Sequence, residues 1–136
     1  MAATYSSFMT TRFSPVFNTA LFDGPLRIYF SQSYESAALK IYHLLQTQHA
    51  DLWARLKETS TKSREHIFLI MYPEKKDLQI VFSEKSALVH SQEWEEGLAI
   101  GFCQPQDDAD FDMQMELITG YIATWIDRSA QYELSN

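Results

Sequence analysis

Cysteine, glycine and proline are scarce in this sequence. It contains one cysteine, Cys103, and four residues each of glycine and proline. A single cysteine excludes an internal disulfide and a cysteine-based zinc site, and it favours a reducing, cytoplasmic setting. The core therefore depends on apolar side chains, which make up 46% of the 136 residues. This length suits one globular domain.

Long apolar runs are also missing. The longest apolar stretch without a charge, residues 117–126, is half as long as the ~20 residues that cross a bilayer. The first twelve residues lack the basic and apolar regions of a secretory signal. We therefore expect no membrane insertion.

Basic residues are few and unevenly placed. The chain has 18 acidic and 11 basic residues, and residues 86–127 hold nine acidic residues and no basic one. Because nucleic-acid binding requires cations that neutralise phosphates, we expect no nucleic-acid partner. An acidic surface either attracts a basic protein or keeps the domain soluble. The basic cluster Arg55, Lys57, Lys62 and Arg64 would also allow head-to-tail self-association.

The first predicted strand is Leu26–Phe30, in which apolar residues alternate with Arg27 and Tyr29. Residues 14–22 fit two structures. Ser14-Pro15 resembles the start of a short helix that Gly24 would end. Alternatively, residues 17–22 form a strand that pairs with the next one around Asp23-Gly24.

A long helix is predicted from about Tyr34 to Glu58, because apolar residues recur every three or four positions. Residues 46–51 contain Ala50 as their one apolar residue, so the helix bends there or two helices meet. His66–Tyr72 is predicted as a central strand buried on both faces. Residues 78–82 are predicted to return beside it as an antiparallel hairpin.

The C-terminal part is predicted to contain a strand and a helix. Residues 83–97 fit more than one structure, because residues 87–90 suit either a short strand or one helical turn. Residues 98–103 are predicted to form a strand. The helix is predicted to begin at Asp110 or Asp112 and to end near Ile126. Its predicted buried face comprises Met113, Leu117, Ile118, Tyr121, Ile122 and Trp125.

Together these elements predict a single α+β domain over residues 14–128, with the order (β)β-α-β-β-(β)-β-α. The sheet is expected to be mainly antiparallel with four or five strands, one long helix after the first strands and a C-terminal helix. Residues 1–13 are predicted to be a flexible N-terminal arm, and residues 129–136 a tail. This order resembles the ββαβββα topology of profilin-like and longin-like modules.

Metal-binding patterns are incomplete. Asp108, Asp110 and Asp112 match the first three ligand positions of an EF-hand loop, but Met113 and Thr119 replace its glycine and its final glutamate. Carboxylates at a helix start also cap free backbone N–H groups. The four histidines show no ligand spacing. We therefore predict no metal and no cofactor.

Catalytic motifs are equally absent. A Cys103 nucleophile with His90 as its base has no local support, since a free cysteine in an apolar strand is usually inert. Gly97 and Gly101 lack the Lys-Ser/Thr pair of a phosphate loop. No catalytic residue is predicted.

The favoured hypothesis is a non-catalytic, cytoplasmic protein-interaction module, an adaptor, regulator or chaperone-like partner that also self-associates as a homodimer. Its partner would present a basic surface. Trp94 is either a core side chain or an exposed interface anchor. The predicted binding residues are Glu93, Trp94, Glu95, Glu96, Asp107, Asp108, Asp110 and Asp112. The alternative is a small-molecule sensor with a pocket between sheet and helix.

Overall fold

The computed structural model describes residues 2–4, 19–76, 78 and 89–135. The predictions for residues 5–18 and 79–88 lie outside this range. They comprise most of the N-terminal arm, the start of the helix-or-strand segment, and most of the predicted strand over 78–82.

The described residues form a single α+β domain, as predicted, with six strands and three long helices. The strands are β1 (Ala2–Thr4), β2 (Thr19–Asp23), β3 (Leu26–Phe30), β4 (His66–Tyr72), β5 (Val89–Trp94) and β6 (Gly97–Cys103). The helices are α1 (Glu35–Thr47), α2 (Ala50–Ser63) and α3 (Asp108–Ser135). In the part of the chain described, no helix is both long enough and apolar enough to cross a membrane.

The sheet is mixed, so the prediction of a mainly antiparallel sheet is wrong. Its strand order is β1-β2-β3-β4-β6-β5. The pairs β3–β4 and β4–β6 are parallel, while the other three are antiparallel. The parallel pairing of β3 with β4 follows from the connection between them. A crossover through two helices returns the chain to the same end of the sheet, which a short turn does not do.

The predicted antiparallel hairpin of His66–Tyr72 with residues 78–82 has no support among the described residues, which include only Leu78 of that second segment. Both edges of β4 are occupied, one by β3 and the other by β6. Leu78 is buried and helical rather than extended. The prediction of β4 as a central strand is confirmed, since Ile67 through Tyr72 are all buried. Its position between two parallel partners explains why the strand is apolar on both faces.

The hairpin around Asp23-Gly24 is confirmed from residue 19 onward, so the helical alternative is wrong there. β2 and β3 pair antiparallel, with Asp23 opposite Leu26. Gly24 has a φ of +56°, a conformation that costs other residues energy. The Pro25 carbonyl accepts a hydrogen bond from Ile67 N–H at 2.8 Å and thus joins the turn to β4.

The segment predicted as one long helix forms two helices. α1 ends at Thr47 and α2 begins at Ala50, inside the polar interval that left this alternative open. α2 continues past the predicted end at Glu58 to Ser63. There Arg64 adopts a left-handed conformation (φ 61°), and its N–H donates to the Ser60 carbonyl at 2.8 Å, which closes the helix.

Apolar side chains are buried on both faces of the sheet. The larger cluster includes Ile28, Leu69 and Ile100 together with apolar residues from all three helices. The smaller cluster, on the opposite face, contains Tyr29, Phe68, Ile70, Tyr72 and Ala99. The alternation of residues along β4 between the two clusters is the period of a strand.

A polar triad ties α1 to the end of β2. The Tyr42 hydroxyl donates to Asp23 Oδ2. Gln46 Nε2 donates to the same oxygen at 3.2 Å and to the Tyr42 hydroxyl at 2.8 Å. Tyr42 is buried, and burial together with the hydrogen bond to Asp23 raises the pKa of its hydroxyl. The Tyr42 hydroxyl therefore acts as a hydrogen-bond donor that anchors α1 to the end of β2.

The final helix is longer than predicted and buries a different face. It spans Asp108–Ser135 and so includes residues 129–135. The buried side chains are Phe111, Gln114, Met115, Ile118, Ile122, Trp125 and Ile126. Met113 and Leu117, predicted to be buried, are 54% and 38% exposed. The prediction failed because Met113, Leu117 and the partly buried Tyr121 share the four-residue spacing of core residues, although Met113 and Leu117 lie on the side of the helix away from its buried side chains.

Candidate functional site

The eight predicted binding residues fall into two separate groups. The turn group (Glu93, Trp94, Glu95 and Glu96) precedes β6, and the helix-start group (Asp107, Asp108, Asp110 and Asp112) follows it. β6 is seven residues long, so at about 3.3 Å per residue the two groups lie roughly 20 Å apart. The acidic segment of the sequence is therefore not one continuous surface.

The turn group is held against the start of β4. The His66 N–H donates to the Glu96 carbonyl at 2.9 Å. Gly97 has a φ of +145°, and a Cβ added to it would lie 1.9 Å from the His66 carbonyl oxygen. Since only glycine fits this approach, the position of the β5–β6 turn depends on Gly97.

Charged side chains of both signs lie near the turn group. Arg128 Nη1 on α3 lies 2.6 Å from Glu93 Oε1. Glu65, next in sequence to β4, has a raised pKa because it is partly desolvated and because Glu93 is near. The C-terminal end of α2 brings Lys62 to the same region. Within the turn group, the charge of Glu93 is therefore paired locally with that of Arg128.

A groove of about 750 Å³ lies between α2, α3 and this turn. It carries charges of both signs. Arg55 Nη2 contacts Asp127 Oδ1 across it at 2.7 Å, next to the Arg128–Glu93 pair. The lining residues include Arg55, Glu58, Lys62, Glu65, Glu93, Trp94, Trp125 and Arg128. Its volume is in the range of small-molecule sites.

Trp94 is neither fully buried nor freely exposed. Its ring lies 5.7 Å from the Phe68 ring, on the face of the sheet that carries the smaller cluster. Glu93 points to the opposite face, as the alternation of a strand requires. Trp94 is thus partly a packing residue and partly a lining residue of the groove.

The aspartates of the helix-start group form an N-terminal cap. The Asp110 N–H donates to Asp107 Oδ1 at 2.8 Å, and the Gln106 N–H donates to Asp110 Oδ2 at 3.2 Å. This reciprocal pattern satisfies two backbone donors at the start of α3. The helix-capping interpretation is therefore confirmed for Asp107 and Asp110.

Carboxylates beyond the cap remain on the surface. Asp108 and Asp112 are exposed, as is Glu116 one turn further along α3. Among the described residues, the ion pairs involve Arg55, Lys62, Lys76 and Arg128 as cations, and none of them reaches these three carboxylates. The N-terminal half of α3 therefore presents three carboxylates that no ion pair among the described residues reaches, although Lys40 Nζ lies 4.2 Å from the centroid of the Phe111 ring on the same helix.

The described residues include side chains that could bind a metal or pair with the Cys103 thiol. No group of three or more His, Cys, Asp or Glu side chains there is arranged to hold a metal ion. His90 pairs with Gly101, and so it shares a sheet face with Cys103, two residues further on. His90 is buried and Cys103 is half-buried.

Comparison with known proteins gives this chain no family. No protein-family model, curated protein or solved structure matches it.

Sequence reasoning missed several residues of these surfaces. No sequence pattern points to Arg128, because its partner Glu93 is distant in sequence. Arg55 and Lys62 were recognised as basic, but the pattern could not show that they border the turn group. Met113 and Leu117 were assigned to the core. Their direct neighbours Asp112 and Glu116 are charged, and this is the signal that could have revealed an exposed stripe.

Proposed function

We propose that this protein is a non-catalytic, cytoplasmic interaction module that recognises a basic protein surface through the acidic half of α3. The observation that carries the proposal is the difference between the two acidic groups. The turn group contains an ion pair between Glu93 and Arg128, whereas no ion pair among the described residues reaches the exposed Asp108, Asp112 and Glu116. Uncompensated charge attracts an oppositely charged partner and raises the association rate.

The packing of α3 against the core suits this role. The helix packs its opposite side into the larger cluster through Phe111, Ile118 and Ile122, so its outward carboxylates sit on a rigid element. A recognition surface on such an element loses little conformational entropy on binding. The cytoplasmic assignment rests on the single cysteine.

The test compares one residue change at two places. The tagged protein captures partners from its native lysate as wild type, as Glu116→Lys and as Glu95→Lys. Both glutamates are exposed, and the charge change is identical. We expect capture to fall by about tenfold for Glu116→Lys and to persist for Glu95→Lys, because reversal places like charges together at the proposed interface only. Equal capture by both variants would contradict the proposal.

A small-molecule binding function is the second candidate, favoured by the groove of about 750 Å³ beside Trp94. A ligand that binds only the folded state raises the midpoint of thermal unfolding. In a screen of metabolites, a compound that stabilises the wild type but not Trp94→Ala supports this candidate. A ligand whose effect survives that substitution binds elsewhere.

Self-association stays a prediction. Light scattering at low and high salt measures it directly, and a monomer at every concentration would contradict it.

A further inference from the structure

Apolar side chains lie exposed on the outward side of α3, beside the carboxylates of the proposed interface. Met113 is 54% and Leu117 is 38% exposed, and these two are the exposed large hydrophobic residues among the described positions. Gly120 and Thr124 continue the same line at helical spacing, and both are exposed. We call Met113, Leu117, Gly120 and Thr124 the outer stripe.

The outer stripe is opposite the buried face of the helix. Its spacing of four, three and four residues keeps one line along a helix of 3.6 residues per turn. This is also the spacing at which two helices pack side by side. Gly120 has open space where a Cβ would be, so a neighbouring helix could approach the backbone closely there.

The charges around the stripe decide what covers it. Asp112 and Glu116 flank Met113 and Leu117 in sequence, and both are exposed. A second copy docked about a twofold axis would place these carboxylates against their own kind, which is unfavourable. The basic end of α2 in a second copy offers only part of its charge, since Arg55 and Lys62 of that cluster already pair with Asp127 and Glu58.

We propose that the outer stripe docks a basic amphipathic helix of a partner protein. The leucine-type side chains of that helix cover Met113 and Leu117, and its lysines or arginines meet Asp112 and Glu116. This inference rests on the proposed function and adds to it the secondary structure of the partner and two apolar contact residues. Helices of this kind are recognised through apolar anchors at positions i, i+3, i+4 and i+7.

The experiment uses three synthetic peptides with the full chain. The first is a helical peptide with leucines on one face and lysines on the other. The second has the same composition in shuffled order, so that the leucines share no face. The third carries glutamate in place of lysine. Calorimetric titration of the wild type is expected to show binding of the first peptide, and binding of the other two at least about tenfold weaker.

Substitutions then locate the contact. The double variant Met113→Gln/Leu117→Gln changes exposed side chains, so folding should survive, and we expect it to weaken binding by about tenfold. Ala54→Gln, on an exposed position of α2, is the control and should bind like the wild type. Unchanged binding by the double variant, or equal binding of the shuffled peptide, overturns the inference.

The outcomes separate this inference from the proposed function. If Glu116→Lys abolishes binding of the basic peptides while the double glutamine variant does not, the acidic surface stands and the helix-docking inference fails. If light scattering shows a dimer that the double glutamine variant dissociates, the occupant is a second copy and the inference is overturned.

Discussion

Arg128 on α3 pairs with Glu93 on β5, with 2.6 Å between Nη1 and Oε1. The preceding residue, Asp127, accepts a hydrogen bond from Arg55 on α2 at 2.7 Å. Two neighbouring residues thus connect the last helix to the edge strand and to the second helix. Both pairs lie beside the groove, and the Arg128–Glu93 pair neutralises one of the three glutamates of the turn group.

The Arg128–Glu93 pair should contribute little to stability in spite of its short distance. Both side chains are more than half exposed, at 55% and 63%, and water screens such pairs. A double-mutant cycle with Arg128→Gln and Glu93→Gln, followed by urea denaturation, is expected to give a coupling free energy of about 0.2–1 kcal/mol. A much larger coupling free energy would show that the pair contributes substantially to holding α3 against β5.

Replacing Glu65 by glutamine should stabilise the fold at neutral pH. Burial, and secondarily Glu93, raises the pKa of this carboxyl in the folded chain. Folding therefore favours its protonated form. That contribution to stability is present in acid and is lost as the pH rises through the raised pKa. A neutral glutamine avoids the loss.

The measurement is the free energy of unfolding of Glu65→Gln and wild type from acid to neutral pH. The advantage of the variant should grow as the pH rises. Glu95→Gln, the same substitution at an exposed turn position, is the control. A constant difference across the pH range would show that the charge of Glu65 is not responsible.

Three glycine-to-alanine substitutions should change the free energy of unfolding by different amounts, two lowering it and one raising it. Gly97→Ala forces a Cβ to 1.9 Å from the His66 carbonyl oxygen, and we expect a loss of about 4 kcal/mol or failure to fold. Gly24→Ala meets no atom but keeps a φ of +56°, which costs about 1 kcal/mol. Gly120→Ala lies in open space within α3 and should gain up to about 1 kcal/mol. Thermal and urea unfolding rank them, and any other order contradicts the described backbone.

Removal of the Tyr42 hydroxyl should lower the free energy of unfolding. Tyr42→Phe deprives Asp23 of a donor and leaves Gln46 as its other partner, so we expect a loss of about 1.5–3 kcal/mol. Tyr121→Phe is the matched control, because its hydroxyl reaches the Val89 carbonyl only at 3.4 Å, a weak hydrogen bond. Equal effects in urea unfolding would mean that the Tyr42 triad does not anchor α1.

Local patterns predicted the elements better than their arrangement. The Asp23-Gly24 pair predicts the β2–β3 turn, and the polar interval after Leu45 indicates the break between α1 and α2. The strand neighbours of β4 could not be read in the same way, because parallel pairing joins segments that are far apart in sequence. An apolar strand such as Ile67–Tyr72 fits equally well between parallel or antiparallel partners.

The candidate surfaces show the same limit. Asp107 and Asp110 were recognisable as a helix cap because capping is a local interaction. The compensation of Glu93 by Arg128 depends on the fold, so the sequence alone suggested one acidic surface where there are two. On α3, the apolar residues Met113 and Leu117 have the spacing of core residues, and only packing decides which of two stripes is buried.

The most direct test of the account is a map of backbone amide shifts in a ¹⁵N-labelled full chain titrated with the basic amphipathic peptide. The account predicts that the perturbed amides cluster in the N-terminal half of α3, around Met113, Glu116 and Gly120. The Glu116→Lys variant should show no such cluster at the same peptide concentrations. Perturbations centred on Lys62 and Trp94 in the groove, with α3 unaffected from Asp108 to Gly120, would contradict it.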